Sequence, residues 1–125
     1  MDTIKKAELR EVALPGRLIY KAVGKDGLSK SMKMTAGYGR YSADSGPMET
    51  HRHAEELVYI EDVKEGWVLY GDEKDKLNKR VELEKGMFLH FGEMEWHLFD
   101  YAEGGYIDIL FFYGQVDRIR PEEMD

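Results

Sequence analysis

The histidines are the residues in this chain best suited to chemistry. The sequence contains only four, and two of them, His51 and His53, are separated by a single residue. Glu55 and Glu56 follow directly and precede the apolar run "LVYI". Residues i and i+2 of a β-strand project from the same face, so two imidazoles with this spacing can approach one ion. Neutral imidazole binds divalent metals at about 2.0–2.1 Å, and the spacing therefore predicts half of a metal site.

Further ligands have to come from elsewhere, because two ligands alone bind a metal weakly. One source is the carboxylate pair, Glu55 or Glu56. The other is the stretch "GMFLHFGEMEWHLFDY", which carries His90 and His97. An isolated His-x-His pair is most often a surface pair without a metal. The carboxylates, the strand context and the second histidine patch favour a metal site, because coordination requires side chains that converge from separate strands.

The elements that must position these side chains are predicted to be β-strands. The hydrophobic pattern has mostly period 2, in short bursts separated by turn residues, as in "RLIYKAV", "LVYI", "GWVLYG", "WHLFDY" and "GGYIDILFFYG". Asp26-Gly27 is a hairpin signal, residues 3–12 are only weakly helical, and residues 116–125 form a polar tail. Many short strands in a chain of this length predict one all-β domain, 1–125, built as a sandwich or barrel.

Composition narrows the classes of partner. The formal net charge is −7, and no basic stretch of any extent occurs, so nucleic acid and anionic membrane surfaces are not expected as partners. The chain has no cysteine, which excludes disulfides, thiolate nucleophiles and cysteine-based metal sites. The N-terminal residues show no apolar leader, and no run approaches the ~18 residues of a membrane span. We therefore expect a cytoplasmic location.

The two histidine patches resemble the two motifs of the cupin superfamily. Residues from about 46 to 66 resemble the first motif, Gly-x5-His-x-His-x(3,4)-Glu-x6-Gly, and residues from about 86 to 101 resemble the second, Gly-x5-Pro-x-Gly-x2-His-x3-Asn. Gly86 and His97 stand at the separation that the second motif requires. The proline, glycine and asparagine positions of that motif are occupied by Gly92, Met94 and Tyr101.

The resemblance implies a small single-domain cupin, a double-stranded β-helix or jelly-roll barrel. It also implies a metal site made by His51, His53, Glu56 and His97. Glu56 lies one residue closer to His53 than the first motif expects. An unbroken strand would instead place Glu55 on the face of His51 and His53. The family ligand directly precedes the next apolar strand, which favours Glu56, with Glu55 as the alternative.

The ligand types define the metal and its possible chemistry. Three imidazoles and a carboxylate suit iron, manganese, nickel, cobalt or zinc, rather than calcium or magnesium. A tetrahedral zinc held by all four groups would be structural, whereas an octahedral ion would keep two positions free. Candidates for acid–base or supporting roles are Glu55, His90 and Asp108. Asp108 interrupts the apolar run "YIDILFFY" and is either a solvent-facing residue or a pocket acid. Other polar groups that could face the pocket are Lys33, Tyr38 and Tyr41.

We therefore expect a metal-dependent enzyme that uses the ion as a Lewis acid on a sugar, sugar acid or hydroxy-acid, in an isomerase or lyase reaction. A metal-dependent dioxygenase is one alternative, and a non-catalytic ligand-binding or sensory cupin is another. The family resemblance also implies a homodimer that shares N-terminal strands. The segment expected to pair is "ELREVALPGRLIYKAV".

Overall fold

The predicted all-β fold is confirmed by a computed structural model, which describes residues 1–114. The only helical elements within that range are two short 3₁₀ turns, Lys6–Glu8 and Ala43–Ser45. The sequence predicts residues 3–12 to be weakly helical, and of these only Lys6–Glu8 forms a helical turn. The predicted polar tail, 116–125, lies outside the described residues. The strands are β1 (Val12–Leu14), β2 (Arg17–Gly24), β3 (Ser29–Lys30), β4 (Thr35–Ser42), β5 (Glu56–Gly71), β6 (Lys79–Glu82), β7 (Phe88–Phe91) and β8 (Trp96–Tyr113).

The strands are hydrogen-bonded in the order β1-β2-β4-β8-β5-β6, while β3 pairs with β2 and β7 pairs with β5. All of these pairs are antiparallel except the short β2–β3 pair. β1 stands at one end of this order, where a second chain could pair with it. The homodimer through N-terminal strands stays a prediction.

The long ribbon of β5 and β8 is the centre of the fold. The two strands pair along their whole length, from Glu56 opposite Tyr113 to Gly71 opposite Trp96. The sequence predicts shorter, separate strands here, and that expectation was wrong. Register shifts in β5, between residues 60 and 62 and between 64 and 66, allow the pairing to continue through the charged stretch "EDVKEG". Such bulges bend a strand and increase its twist without ending it.

Gly66 at the second register shift is required by packing. A Cβ at this position would lie 2.6 Å from Cγ1 of Ile107 on the paired strand. That distance is too short for two carbon atoms, so any larger residue would push the two strands apart. Gly66 therefore allows β5 to lie close against β8 where the ribbon bends.

The core lies on the inner face of the ribbon and follows the period-2 pattern of the sequence. Alternate residues of β5 and β8 point inward, and seven of their apolar side chains are 3% exposed or less. Each such side chain contributes about 1.5–3 kcal/mol through burial. These residues are Val58, Ile60, Val68, Phe99, Ile107, Ile109 and Phe111. No helix among the described residues is long and apolar enough to cross a membrane.

Candidate metal centre

Three histidines meet at one end of the core. His51 forms an isolated β-bridge with His97, in which the His51 N–H donates to the His97 carbonyl (3.1 Å) and the His97 N–H donates back (2.9 Å). The chain before β5 is thereby attached to the start of β8. A hydrogen bond from the Met94 N–H to the His53 carbonyl, at 2.8 Å, attaches the same segment a second time. The three side chains are buried, with exposed fractions of 4%, 2% and 1% for His51, His53 and His97.

The turn before His97 takes the shape expected from the second motif. Gly86 has a φ of +91°, and Met94, which occupies the second glycine position of the motif, has a φ of +66°. Both values lie in the left-handed region, which glycine enters easily and other residues enter at a cost. Met94 therefore adopts the turn conformation that a glycine would favour there, and this turn positions His97 beside the other two histidines.

The imidazoles present their metal-binding nitrogens to one another. One ring nitrogen from each of the three histidines lies within 4.8 Å of the others. Each Nδ1–H donates to a backbone carbonyl, at 2.8–3.0 Å, which leaves the Nε2 lone pair free because a carbonyl can only accept. The Nε2 atoms of His53 and His97 are buried and have no hydrogen-bond partner. Three buried imidazoles held in this way could bind a metal ion. The carbonyls belong to Glu49, Ala54 and Glu95.

The two neighbouring carboxylates face in different directions. Glu56, the first residue of β5, is 5% exposed, and its Oε1 lies 3.4 Å from His53 Nε2 and 3.8 Å from His97 Nε2. The Glu55 side chain is 65% exposed and accepts a hydrogen bond from His90 Nε2 at 2.6 Å. The chain bends at Ala54, so the alternation of an unbroken strand does not extend from His53 to Glu55. The structure thus brings Glu56, and not Glu55, to the histidines, and its role as a ligand stays a prediction.

The remaining candidates lie apart from the histidines. His90 on β7 is exposed and, with Glu55, lines an open pocket of about 520 Å³ on whose wall Glu56 also lies. Asp108 does not face the cluster. It lies on the outer face of β8, where its carboxylate accepts hydrogen bonds from Arg40 Nη1 at 2.9 and 3.0 Å. The interpretation of Asp108 as a pocket acid is therefore corrected, because the ion pair on the outer face accounts for it. Lys33 is exposed, and Tyr38 shares the outer face of β4.

Beside the histidines lies a small cavity of about 70 Å³, whose polar lining includes Arg17, Lys21, Tyr41, His51, Glu56 and Tyr113. Burial, and after it the negative charge of Glu56, raises the pKa of Tyr113 well above its usual value of 10. Burial also raises the pKa of Tyr41, so both tyrosines keep their hydroxyl protons. The sequence interpretation missed Arg17 and Tyr113. The available signal was the period-2 pattern, which places Arg17 on the same face of β2 as the buried Ile19.

Burial keeps His51 and His97 in the neutral form that metals bind. Burial, and after it repulsion from a protonated His97, lowers the pKa of His51 to about 2. Burial lowers the pKa of His97 to about 4, although the nearby Glu56 carboxylate partly opposes this effect. Both imidazoles are therefore neutral near pH 7, and no proton has to leave them before an ion binds.

We expect the metal-free protein to lose stability as the pH falls below 6.5. Histidines in the unfolded chain take up protons there, whereas His51 and His97 in the folded chain do not. Each one therefore lowers the free energy of unfolding by about 1.4 kcal/mol per pH unit until its own folded pKa is reached. Urea unfolding at pH 7, 6 and 5 measures the slope. It should be shallower for His51→Gln and His97→Gln than for His90→Gln, and three equal slopes would contradict the prediction.

Comparison with known proteins shows similarity of structure only. No family model matches this chain, and no curated protein matches it in sequence. A protein from Planctomyces limnophilus shares 15% identity at a TM-score of 0.72, covering 96% of this chain and 94% of its own. The polyketide cyclase RemF from Streptomyces resistomycificus shares 17% identity at a TM-score of 0.69, over 90% and 78%. Rru_A2000 from Rhodospirillum rubrum, a cupin-2 domain, shares 12% at a TM-score of 0.66, over 94% and 76%.

Two longer enzymes also share the architecture. The DMSP lyase DddQ from Ruegeria pomeroyi DSS-3 matches with 17% identity and a TM-score of 0.70, over 89% of this chain. The hydroxypropylphosphonic acid epoxidase from S. wedmorenis matches with 15% identity and a TM-score of 0.65, over 90%. This chain spans only 58% and 59% of the lengths of these two enzymes. The epoxidase is also known in an Fe(II) form.

Fold and site together define a class of protein: an antiparallel jelly roll with a buried three-histidine cluster in its core. That fold is the cupin fold, as the similarity to the cupin-2 domain shows. The fold that the two histidine motifs imply is therefore confirmed.

Proposed function

We propose that this protein is a metal-dependent enzyme whose ion is held by His51, His53, Glu56 and His97. The observation that carries the proposal is the set of three buried imidazoles, each oriented by a backbone carbonyl through its Nδ1–H. The buried Nε2 atoms of His53 and His97 have no hydrogen-bond partner, and an ion would accept their lone pairs. Three nitrogens and one carboxylate oxygen suit iron, manganese, nickel, cobalt or zinc.

The proposed reaction is an isomerase or lyase reaction on a small polar metabolite, such as a sugar acid or hydroxy-acid. A bound divalent ion supplies Lewis acidity that polarises a carbonyl or hydroxyl oxygen. The neutral hydroxyls of Tyr41 and Tyr113 face the same cavity and can donate hydrogen bonds to substrate oxygens. The apolar side chains of Ile109 and Phe111 line the cavity and limit the entry of water.

Glu55 and His90 are proposed to carry protons between the site and solvent. They are hydrogen-bonded to each other and lie on the wall of the open pocket. Glu56 and Tyr113 line both this pocket and the 70 Å³ cavity beside the histidines, so the two spaces adjoin at these residues. A proton leaving the substrate would reach solvent by this side of the barrel.

An oxidative reaction is the second candidate. It is favoured by the structural similarity to the hydroxypropylphosphonic acid epoxidase, for which an Fe(II) form exists. The similarity to the DMSP lyase DddQ favours the non-oxidative alternative.

Metal analysis followed by turnover assays tests the proposal. We expect the purified protein to hold about one transition-metal ion per chain. We also expect it to convert members of a panel of sugars, sugar acids and hydroxy-acids without oxygen, and to lose this activity on chelation. Stoichiometric iron together with oxygen uptake would instead indicate the dioxygenase. A protein that holds a metal but converts no member of the panel would favour the non-catalytic ligand-binding or sensory cupin. A protein that holds no ion and gains no thermal stability from added divalent metals would contradict the proposal.

A further inference from the structure

Arg17 is a buried cation without an anionic partner among the described residues, 1–114. It is the first residue of β2, and 8% of its surface is exposed. Its Nη1 donates to the Pro15 carbonyl at 3.0 Å and lies 3.8 Å from the Met48 sulfur, both of which are uncharged. No carboxylate among residues 1–114 forms an ion pair with it. Burying a charge without a counter-charge is energetically costly, so such a group is expected to bind an anion.

Arg17 lines the same 70 Å³ cavity as His51 and Glu56, and its positive charge acts on His51. Glu56 is the acidic residue on this wall, but its carboxylate is directed to His53 and His97 rather than to Arg17. Arginine carries five N–H donors, and the two Nη1 contacts use only part of them. One small space therefore combines a metal-binding cluster with a cation that can form a bidentate pair with a carboxylate.

We propose that Arg17 binds the carboxylate of the substrate, while the oxygen on the adjacent carbon faces the metal site formed by the three histidines. This inference rests on the proposed function and narrows its substrate class to short 2-hydroxy- or 2-oxo-carboxylates. A neutral sugar would leave the guanidinium buried and unpaired. At about 70 Å³ the cavity is small, which favours a compact carboxylate.

The test compares glycolate with glycolamide, its uncharged analogue of nearly equal size, by isothermal titration calorimetry on the purified protein. We expect the wild type to bind glycolate at least about tenfold more tightly. Loss of a hydrogen bond between charged groups corresponds to about 10- to 100-fold in affinity, so Arg17→Gln should weaken glycolate by that factor. Its affinity for glycolamide should change little. Arg40→Gln is the matched control, because Arg40 lies on the outer face and pairs with Asp108.

Several outcomes separate this inference from the proposed function. Equal affinity of the wild type for the two ligands, or binding of neither, overturns the role of Arg17 even if the protein holds its metal. An unchanged glycolate preference in Arg17→Gln overturns it as well. If Arg17→Gln does not fold, Arg17→Lys keeps the charge and should retain part of the preference. If the protein holds no metal, the proposed function fails, and a glycolate preference that depends on Arg17 still supports the anion site.

Discussion

Replacing His51 and His97 together by alanine is expected to abolish metal binding. If the binding energy of a four-ligand site, about 10–16 kcal/mol for structural zinc, is shared evenly, each ligand contributes about 3 kcal/mol. Loss of two ligands then weakens binding by a factor on the order of 10⁴. Metal content after purification should fall to background, and added divalent metal should no longer raise the melting temperature.

This variant is expected to keep its fold, which makes the metal measurement interpretable. The bridge between His51 and His97 is formed by backbone N–H and carbonyl groups, which alanine retains. The exposed His90 provides the matched control, and His90→Ala should keep the full metal content. A double variant that folds and still holds stoichiometric metal would exclude the three-histidine site.

The second prediction concerns the carboxylate. Glu56→Gln is expected to weaken metal binding by roughly 100-fold, because among residues 1–114 it removes the one carboxylate that lies within 4 Å of both His53 and His97. Glutamine has nearly the same shape as glutamate, so the packing around this position should be preserved. The effect should therefore be on the ion rather than on packing. Titration of the metal-loaded protein with a chelator measures the change.

Glu55→Gln is the matched control for this experiment, since it makes the same chemical change one residue earlier. Glu55 is exposed and pairs with His90, so its replacement should leave metal affinity within about twofold of the wild type. The reverse result, a large loss with Glu55→Gln and none with Glu56→Gln, would show that the chain rearranges at Ala54 when the ion binds.

The strands and the core were predictable because their signal is local. Alternation of apolar and polar residues depends only on neighbouring positions, and the buried Ile107, Ile109 and Phe111 follow it along β8. The lengths of β5 and β8 were not predictable in this way. The charged stretch between residues 60 and 66 looks like a separator, whereas two register shifts carry the pairing through it.

The all-β class, the two histidine motifs and the residues available to hold an ion can be recognised in the amino-acid sequence. Which of these residues meet depends on the pairing of distant strands. Glu56 reaches the histidines because a bend at Ala54 breaks the alternation, and Asp108 is directed to Arg40, which lies on the neighbouring strand. Arg17 enters the cavity because β2 pairs with β4, which places it opposite the buried Tyr41. Alternation fixes which residues share a face, but the pairing of distant strands fixes what that face meets.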